Sequence, residues 1–323
     1  MRRREFVTLI GGSALAWPIA ASAQKAPLVL GILHEGLPAP LSLTTAFLQG
    51  LNEGGVGQGS VTIENRWAEG RYGRLPSLAL DLLDHRADII VAAYVVAARA
   101  AEAATQTVPV IFITGSDPIA ARLVSSLNHP TGNATGIAFM FTRLMEKNLA
   151  TLHELVPDAR VIGALVNPNN SNVEPQLRDL RVAAGELGLQ IVALSAGDES
   201  EIDSVFARLT EQKIEALLVT ADGFFFGLQD KLATLAARYA VPAFYPLSDY
   251  VLAGGLISYG ANLAESWQQA GAYVARIIKG AKPSDLPIMQ PAKFELVVNV
   301  RTAKALRLEI PAKVLALTDK VVE

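Results

Sequence analysis

Residues 89–117, IIVAAYVVAARAAEAATQTVPVIFITGSD, decide the fold class of this chain. The aliphatic run at 89–92 predicts a short strand, residues 96–105 predict a helix, and residues 110–113 predict a second strand. Both runs are apolar throughout instead of alternating, which is typical of parallel strands buried on both faces. The stretch therefore predicts a βαβ unit and, with it, an α/β fold.

The same alternation continues on both sides of this stretch. One series of predicted strands and helices runs from residue 28 to residue 139, and a second series of similar design runs from residue 161 to residue 298. Asp117-Pro118 predicts the start of a helix, with an N-cap followed by proline at the first helical position. We therefore expect two doubly wound, Rossmann-like lobes, with the switch between them near Phe141-Thr142.

The composition excludes several classes of function. The chain has 323 residues and no cysteine, so disulfides, thiolate metal sites and cysteine nucleophiles are impossible. It is 51% hydrophobic but only 7% aromatic, so the excess is aliphatic and disorder is disfavoured. A net charge of −3 gives no basic footprint for nucleic acid. The length predicts two domains, each with its own core.

The first 23 residues have the pattern of an export signal. Arg2-Arg3-Arg4 precedes an apolar run at 7–21, and Ala21-Ser22-Ala23 ends it with small residues before a cut at Gln24. The run is too short for a good transmembrane helix. Arg3-Arg4-Glu5-Phe6-Val7 matches the twin-arginine motif, and an arginine-rich Sec signal is the alternative. We expect cleavage after Ala23 and, with no cysteine for a lipid anchor, a soluble periplasmic protein.

Motifs for covalent or metal chemistry are missing from the sequence. The four histidines have no metal-ligand spacing, and there is no H-E-x-x-H, no P-loop and no G-x-S-x-G. The glycine-rich residues 54–59 link a predicted helix to a strand, which is the wrong end for a dinucleotide fingerprint. We predict no catalytic residue, no metal and no cofactor.

Polar and aromatic residues follow the predicted strands at their carboxyl ends, where open α/β sheets bind ligands. His34-Glu35 follows the first strand, and Asp222 follows residues 216–219 in the second series. Phe224-Phe225-Phe226 predicts either an aromatic ligand wall or a helix start packed against the other lobe. As a set, these residues suggest a clamp around one small molecule. The candidate ligand-binding residues are His34, Tyr94, Gly115, Ser116, Asn167, Asp222, Tyr245 and Tyr259.

Several stretches in this order resemble one family, the periplasmic substrate-binding proteins of ABC transporters with the type I fold. The resemblance covers residues 25–323, and its nearest branch includes tryptophan- and tyrosine-binding members. The stretches that carry it are Trp67-Ala68-Glu69-Gly70, Ser116-Asp117-Pro118, Asn167-Pro168-Asn169, Phe224-Phe225-Phe226, and residues 253–260 and 293–299.

The resemblance implies two lobes that are joined by three crossovers and close on the ligand by a hinge. Lobe one is then residues 24–140 plus 258–285, and lobe two is residues 141–257 plus 286–323. In amino-acid-binding relatives, lobe-one loops hold the carboxylate and a lobe-two acid holds the amine.

Matched by position, Tyr94, Gly115 and Ser116 are the lobe-one groups and Asp222 is the acid. Asn167 approaches from lobe two, and Tyr259 from the hinge. Tyr94-Val95-Val96 departs from the small polar residue and proline of many members, which puts the carboxylate contact there in doubt.

We therefore expect a monomeric receptor that captures a hydrophobic or aromatic amino acid, or an aromatic acid, and delivers it to a membrane permease. It would bind no nucleic acid and carry out no covalent chemistry. Two alternatives stay open from the sequence. One is an exported α/β hydrolase or isomerase that uses Asp222 or His34, and the other is a sensory domain for a membrane receptor.

Overall fold

The structure of the protein is a computed structural model that describes residues 26–38, 41–140, 144–170, 172–291 and 293–323. The predicted export signal and the predicted switch at Phe141-Thr142 lie outside these residues. The strands are β1 (Leu28–His34), β2 (Val61–Trp67), β3 (Ile89–Ala93), β4 (Val110–Thr114), β5 (Ala134–Ala138), β6 (Val161–Val166), β7 (Gln190–Ser195), β8 (Ala216–Val219), β9 (Ala243–Tyr245), β10 (Ile257–Ala261), β11 (Phe294–Asn299) and β12 (Lys320–Val322).

The helices alternate with these strands along most of the chain. They are α1 (Leu41–Glu53), α2 (Leu75–Asp84), α3 (Val95–Ala104), α4 (Met145–Leu155), α5 (Val173–Glu186), α6 (Glu199–Ala207), α7 (Gly223–Phe226), α8 (Gln229–Arg238), α9 (Ser248–Leu252), α10 (Leu263–Ile278), α11 (Val300–Ala305) and α12 (Ala312–Ala316). Short 3₁₀ turns lie at Gln58–Ser60, Tyr72–Arg74 and Pro283–Asp285. No helix in the described ranges is long and apolar enough to cross a membrane.

Within the described ranges, the strands form a five-stranded sheet of order β2-β1-β3-β4-β5 and a seven-stranded sheet of order β12-β11-β10-β9-β8-β6-β7. Neighbouring strands run parallel, apart from the antiparallel pair of β10 and β11. Every residue of β3 and β4 is buried, as the apolar runs predict. The predicted α/β architecture with two doubly wound, mostly parallel sheets is confirmed. We call the five-stranded sheet with its helices the first lobe and the seven-stranded sheet with its helices the second lobe.

Helix α10 ties a late part of the chain to the first lobe. It follows β10 of the second lobe but packs along α1. Gly50 on α1 and Gly271 on α10 make this close packing possible, because a Cβ on either one would overlap the backbone of the opposite helix. The chain therefore interleaves its two lobes.

The predicted boundaries at residues 258 and 286 differ from the observed sheet membership. Residues 258–261 belong to β10 of the second lobe, where Tyr259 is paired with Leu296 of β11. After α10 the chain stays on the first lobe, since Met289 bridges to Ile137. Strand pairing therefore keeps residues 258–261 with the second sheet and Met289 with the first sheet, beyond the boundaries that the family resemblance implies.

The predicted helix at Asp117-Pro118 does not form. Asp117 does accept hydrogen bonds from the backbone N–H groups of Ile119 and Ala120, as an N-cap would. The turn ends at Arg122, which has a φ of 57°. Backbone bonds from Leu123 and Val124 return to the Pro118 carbonyl and close the turn. The loop after β4 therefore has no helix N-terminus to offer a ligand.

Candidate ligand-binding cleft

A cavity lies between the two lobes at the carboxyl ends of their strands, as the topology requires. The space in it that is not filled by atoms is about 310 Å³ when the part open to solvent is counted, and in this closed arrangement the enclosed part has room for about one water molecule. Its walls come from the loops after β1, β3, β4, β5, β6 and β8, together with one residue of α5. The lining residues are Glu35, Tyr94, Val95, Thr114, Gly115, Ser116, Phe139, Asn170, Gln176, Ala221 and Asp222. None of these described lining residues is lysine, arginine or histidine.

Asp222 lies in the second-lobe wall of this cavity and is held by donors from both lobes. Its Oδ1 accepts hydrogen bonds from the Tyr72 hydroxyl at 2.8 Å, from Asn167 Nδ2 at 3.1 Å and from the Phe224 N–H at 3.0 Å. Its Oδ2 accepts one from Asn170 Nδ2 at 2.8 Å. Burial raises the pKa of Asp222, and these donors oppose the rise. The carboxyl group is therefore fixed in place, and Oδ2, with one donor, keeps capacity to accept another hydrogen bond.

Glu35 is the second acidic group of the cavity, and its side chain is fully buried. Its Oε1 accepts hydrogen bonds from the backbone N–H groups of Val96 at 2.5 Å and Ala97 at 3.2 Å, at the start of α3. Its Oε2 is buried and has no hydrogen-bond partner among the described residues. Burial, and then the nearby Asp222, raise the pKa of Glu35 from 4.5 to about 8, against the effect of the α3 donors.

The Tyr72 hydroxyl lies close to both carboxyl groups. It donates to Asp222 and also faces Glu35, and burial together with these two charges raises the pKa of Tyr72. Tyr72 belongs to the first lobe and Asp222 to the second, so this bond joins the lobes. A second polar bond joins them where Asn172 Nδ2 donates to Ser116 Oγ. The lobes are therefore closed on each other in this structure.

The backbone of the two lobes also meets directly at the rim of the cavity. A Cβ on Gly36 would overlap the carbonyl oxygen of Gly223, and a Cβ on Gly70 would lie 2.6 Å from Phe224 Cδ2. Phe224, Phe225 and Phe226 form the short helix α7 and are buried. They do not line the cavity, so of the two open interpretations the helix packed against the other lobe is the one observed.

Four of the eight predicted site residues, namely Tyr94, Gly115, Ser116 and Asp222, line the cavity. Asn167 is fully buried behind them and positions Asp222. Tyr94 has a φ of 74° at the N-cap of α3, and its ring lies against Gly223 of the second lobe. Tyr94 and Val95 therefore give this part of the cavity an aromatic and apolar wall.

His34, Tyr245 and Tyr259 do not line the cavity. His34 is stacked between Trp67 and Trp267, at ring-centroid distances of 5.9 and 5.6 Å, on the opposite side of β1 from Glu35. Tyr245 stacks on Tyr250 inside the second lobe, with centroids 5.0 Å apart.

Tyr259 lies in β10 with the Lys147 ammonium 3.8 Å from its ring centroid. The positions of these three residues in the sequence predicted that they lie near strand ends or a crossover, which they do. Their side chains, however, point away from the cavity.

Sequence analysis named Glu35 at the end of the first strand but did not select it as a candidate, and it did not identify Tyr72, Asn170 and Gln176. The signal for Glu35 was present, since it follows β1 directly beside His34, and neighbouring residues of an extended chain point to opposite sides. Asn170 follows β6 in the same loop as Asn167. Tyr72 lies in a 3₁₀ turn well beyond β2, where no strand-end rule selects it.

Two interleaved α/β lobes that close on a cavity define a two-lobed solute-binding protein. The chain belongs to the family of ABC transporter substrate binding proteins, whose family model matches residues 32–322. The predicted type I periplasmic binding protein fold is confirmed by the solved structures that the chain resembles.

Three relatives illustrate this similarity. A conserved domain protein from Vibrio cholerae is 25% identical, with a TM-score of 0.83, over 92% of this chain and 100% of that one. An ABC domain in complex with L-Trp from Streptococcus pneumonia is 25% identical, with a TM-score of 0.78, over 91% and 100%. The tyrosine-binding protein of Clostridioides difficile (strain R20291) is 25% identical over 264 residues, which are 81% of this chain and 76% of that protein.

Proposed function

We propose that this chain captures a small organic solute with a protonated nitrogen between its lobes and delivers it to the permease of an ABC transporter. The observation that carries the proposal is Asp222, a buried acid that both lobes hold at the wall of a cavity without a basic lining residue. A buried carboxylate is stabilised by a charged partner. A ligand ammonium group is the partner that this cavity lacks.

The relatives support a ligand of this kind. The names of two of them specify tyrosine and L-Trp, and both of these molecules carry an ammonium group. The chain also resembles the L-Trp complex, with a TM-score of 0.78, more than the ligand-free, open structure of a Clostridium difficile substrate binding protein, with a TM-score of 0.62 at the same 25% identity. The two lobes are thus arranged more as in the L-Trp complex than as in the open, ligand-free structure.

The ligand acts by favouring the closed form. It can do so only through a higher affinity for the closed than for the open arrangement. A solute held by Asp222 on one side and by first-lobe groups on the other makes its full set of contacts only after closure. The closed form then presents a fixed pair of lobe surfaces to the permease.

Export to the periplasm forms part of the proposal. The family works on solutes outside the cytoplasm, and residues 1–23 carry the arginine pair, the apolar run and the small residues of an export signal. We propose the twin-arginine route with cleavage after Ala23, and a monomeric mature protein.

The proposal is tested by a thermal-shift screen of amines, amino acids and aromatic acids, followed by titration calorimetry of the hits. A ligand that binds only the folded protein raises its melting temperature. We expect Asp222→Asn to weaken binding of the best amine-bearing hit at least tenfold, because a charge-assisted hydrogen bond contributes about 1.5–3 kcal/mol.

Asp198→Asn is the matched control. Asp198 caps α6 as Asp222 caps α7, by accepting from two backbone N–H groups, but it lies outside the cavity. The control should leave affinity unchanged. Equal affinity of the Asp222 variant and the wild type, or binding of anions alone, would contradict the proposal. Recovery of a chemically changed ligand would instead favour the exported enzyme, with the Glu35 and Asp222 carboxyl groups as its acid and base.

A further inference from the structure

Several of the first-lobe donors that could hold a ligand carboxylate already bond to the protein itself. The free N–H groups at a helix N-terminus form an anion site. At the N-terminus of the ten-residue helix α3, the N–H groups of Val96 and Ala97 donate to Glu35 Oε1. In the next loop, the Ser116 N–H donates to Thr114 Oγ1, whereas the Ser116 hydroxyl accepts from Asn172 and keeps its own hydrogen for another acceptor.

Two acidic side chains of the cavity have spare hydrogen-bond acceptor capacity and could hold an ammonium group. Glu35 Oε2 is fully buried, lines the cavity and has no partner among the described residues. Asp222 Oδ2 has one donor, Asn170. The described lining residues supply no cation to neutralise either carboxyl group, so each one must either hold a proton or meet a cation from outside the protein.

We propose that Glu35 takes the position that the carboxylate of an amino-acid ligand would need, and that this chain therefore binds a small primary amine without a carboxylate. The ammonium group lies between Glu35 Oε2 and Asp222. This inference rests on the proposed function, since it requires a solute that is bound between the lobes through a protonated nitrogen.

The acidic groups of the cavity explain why an amine would bind more tightly than the corresponding amino acid. An amino acid would place its carboxylate against Glu35, which would then have to keep its proton, because like charges in a buried site repel strongly and no basic lining residue compensates. An amine brings only the positive charge. The remaining walls at Tyr94, Val95, Phe139 and Ala221 are apolar or aromatic and suit a hydrocarbon or aromatic tail.

The protonation of Glu35 supplies a second signature. The titratable groups that face Glu35 are Asp222, Tyr72 and Tyr94, and Asp222 together with burial raises the pKa of Glu35 to about 8. Below this pH the carboxyl group holds a proton, which it must release when a cation binds. The affinity for an amine should therefore increase as the pH rises from 6 to 8.

The test uses pairs of probes that differ only in the carboxylate: tyramine with L-tyrosine, tryptamine with L-tryptophan and phenethylamine with L-phenylalanine. Titration calorimetry on the full mature chain should give at least tenfold tighter binding of one amine than of its amino acid. Glu35→Ser opens the N-terminus of α3 and should change this ratio at least tenfold towards the amino acid.

Two further variants keep the result interpretable. Glu35→Gln retains an oxygen that can accept from the α3 donors, so it is available if the serine variant does not fold. It should weaken amine binding at least tenfold and abolish the pH dependence of that binding. Glu102→Gln is the matched control, because Glu102 is a partly buried acid of α3 whose pKa is also raised, to about 7, but which lies outside the cavity. It should leave the ratio unchanged.

Tighter binding of the amino acids to the wild type, with Glu35→Ser weakening both probes equally, would overturn this inference and leave the proposed function intact. If neither the amines nor the amino acids bind, both proposals fail. The two failures are therefore distinguishable in one set of titrations.

Discussion

Adjacent residues at the end of β1 have opposite environments and different roles. Glu35 points into the cleft between the lobes, whereas His34 points to the other side of the sheet and stacks between Trp67 and Trp267. His34 is 6% exposed, and its Nε2 pairs with Asn65 Oδ1. Burial lowers the pKa of His34 from 6.5 to about 4, so it is a neutral core residue at physiological pH.

His34 should therefore affect acid stability and leave ligand affinity unchanged. A histidine whose pKa is lower in the folded than in the unfolded state makes the protein lose stability as the pH falls from 6.5 to 4. We expect His34→Phe, which keeps a ring in the stack, to reduce this loss by up to about 3 kcal/mol. Urea denaturation between pH 4 and 7 measures the effect.

His129→Phe is the control, since His129 is exposed in a loop. It should keep the acid sensitivity of the wild type. If His34→Phe lost as much stability between pH 6.5 and 4 as the wild type, or bound the ligand more weakly, the role of His34 as a neutral core residue would be contradicted.

The secondary-structure elements that the sequence predicts best are the central parallel strands, which are buried on both faces. The apolar runs at 89–92, 110–113, 161–166 and 216–219 all form strands, because a parallel strand covered on both faces must be apolar along its length. The helix predicted at Asp117-Pro118 does not form. Asp117 caps a single turn, and the chain leaves the helical conformation at Arg122. Short elements such as α9, α12 and β12 have too few residues for periodicity to show.

At the cleft rim, two loop glycines permit the lobes to meet. A Cβ on Gly36 would overlap the Gly223 carbonyl oxygen only in the closed arrangement, since the two residues belong to different lobes. We expect Gly36→Ala to weaken ligand binding at least tenfold with little change in the melting temperature of the ligand-free protein. Calorimetry and thermal denaturation test both expectations.

Gly73→Ala is the matched control, because a Cβ at Gly73 meets no atom within 4 Å. It should behave as the wild type. Full affinity in Gly36→Ala would mean that the ligand-bound lobes do not approach as closely as they do in this structure.

Across the whole molecule, closure is held by a small number of polar bonds between the lobes. Tyr72 with Asp222 and Asn172 with Ser116 cross the cleft, in addition to the backbone contact at its rim. Such bonds contribute about 0.5–1.5 kcal/mol each. The closed form is therefore stabilised by contacts that a ligand can supplement, which is the requirement for a receptor that reports occupancy.

Ligand should therefore compact the protein in solution. Small-angle scattering of the ligand-free and saturated protein should show a smaller radius of gyration on binding. Asn172→Ala should weaken affinity by about twofold to tenfold, since it removes one interlobe hydrogen bond. Identical scattering profiles with and without a bound ligand would contradict closure by a hinge.

The sequence by itself determined the class of this protein. Apolar runs at strand spacing predicted the α/β fold, because a parallel strand buried on both faces must be apolar along its length. The resemblance carried by stretches such as Asn167-Pro168-Asn169 then pointed to the family of substrate-binding proteins, which the family model confirms. Four of the eleven lining residues were also predicted, since Tyr94, Gly115, Ser116 and Asp222 follow strands whose ends must meet at one edge.

Only the tertiary structure decided which side chains face the ligand. Glu35 and His34 are neighbours in sequence, and the direction of each side chain depends on what packs against it: the N-terminus of α3 in one case and two tryptophans in the other. Tyr72 reaches Asp222 across 150 residues of chain. Such long-range contacts set the charge of the cavity, and a pattern in the sequence does not record them because they form only when the two lobes close.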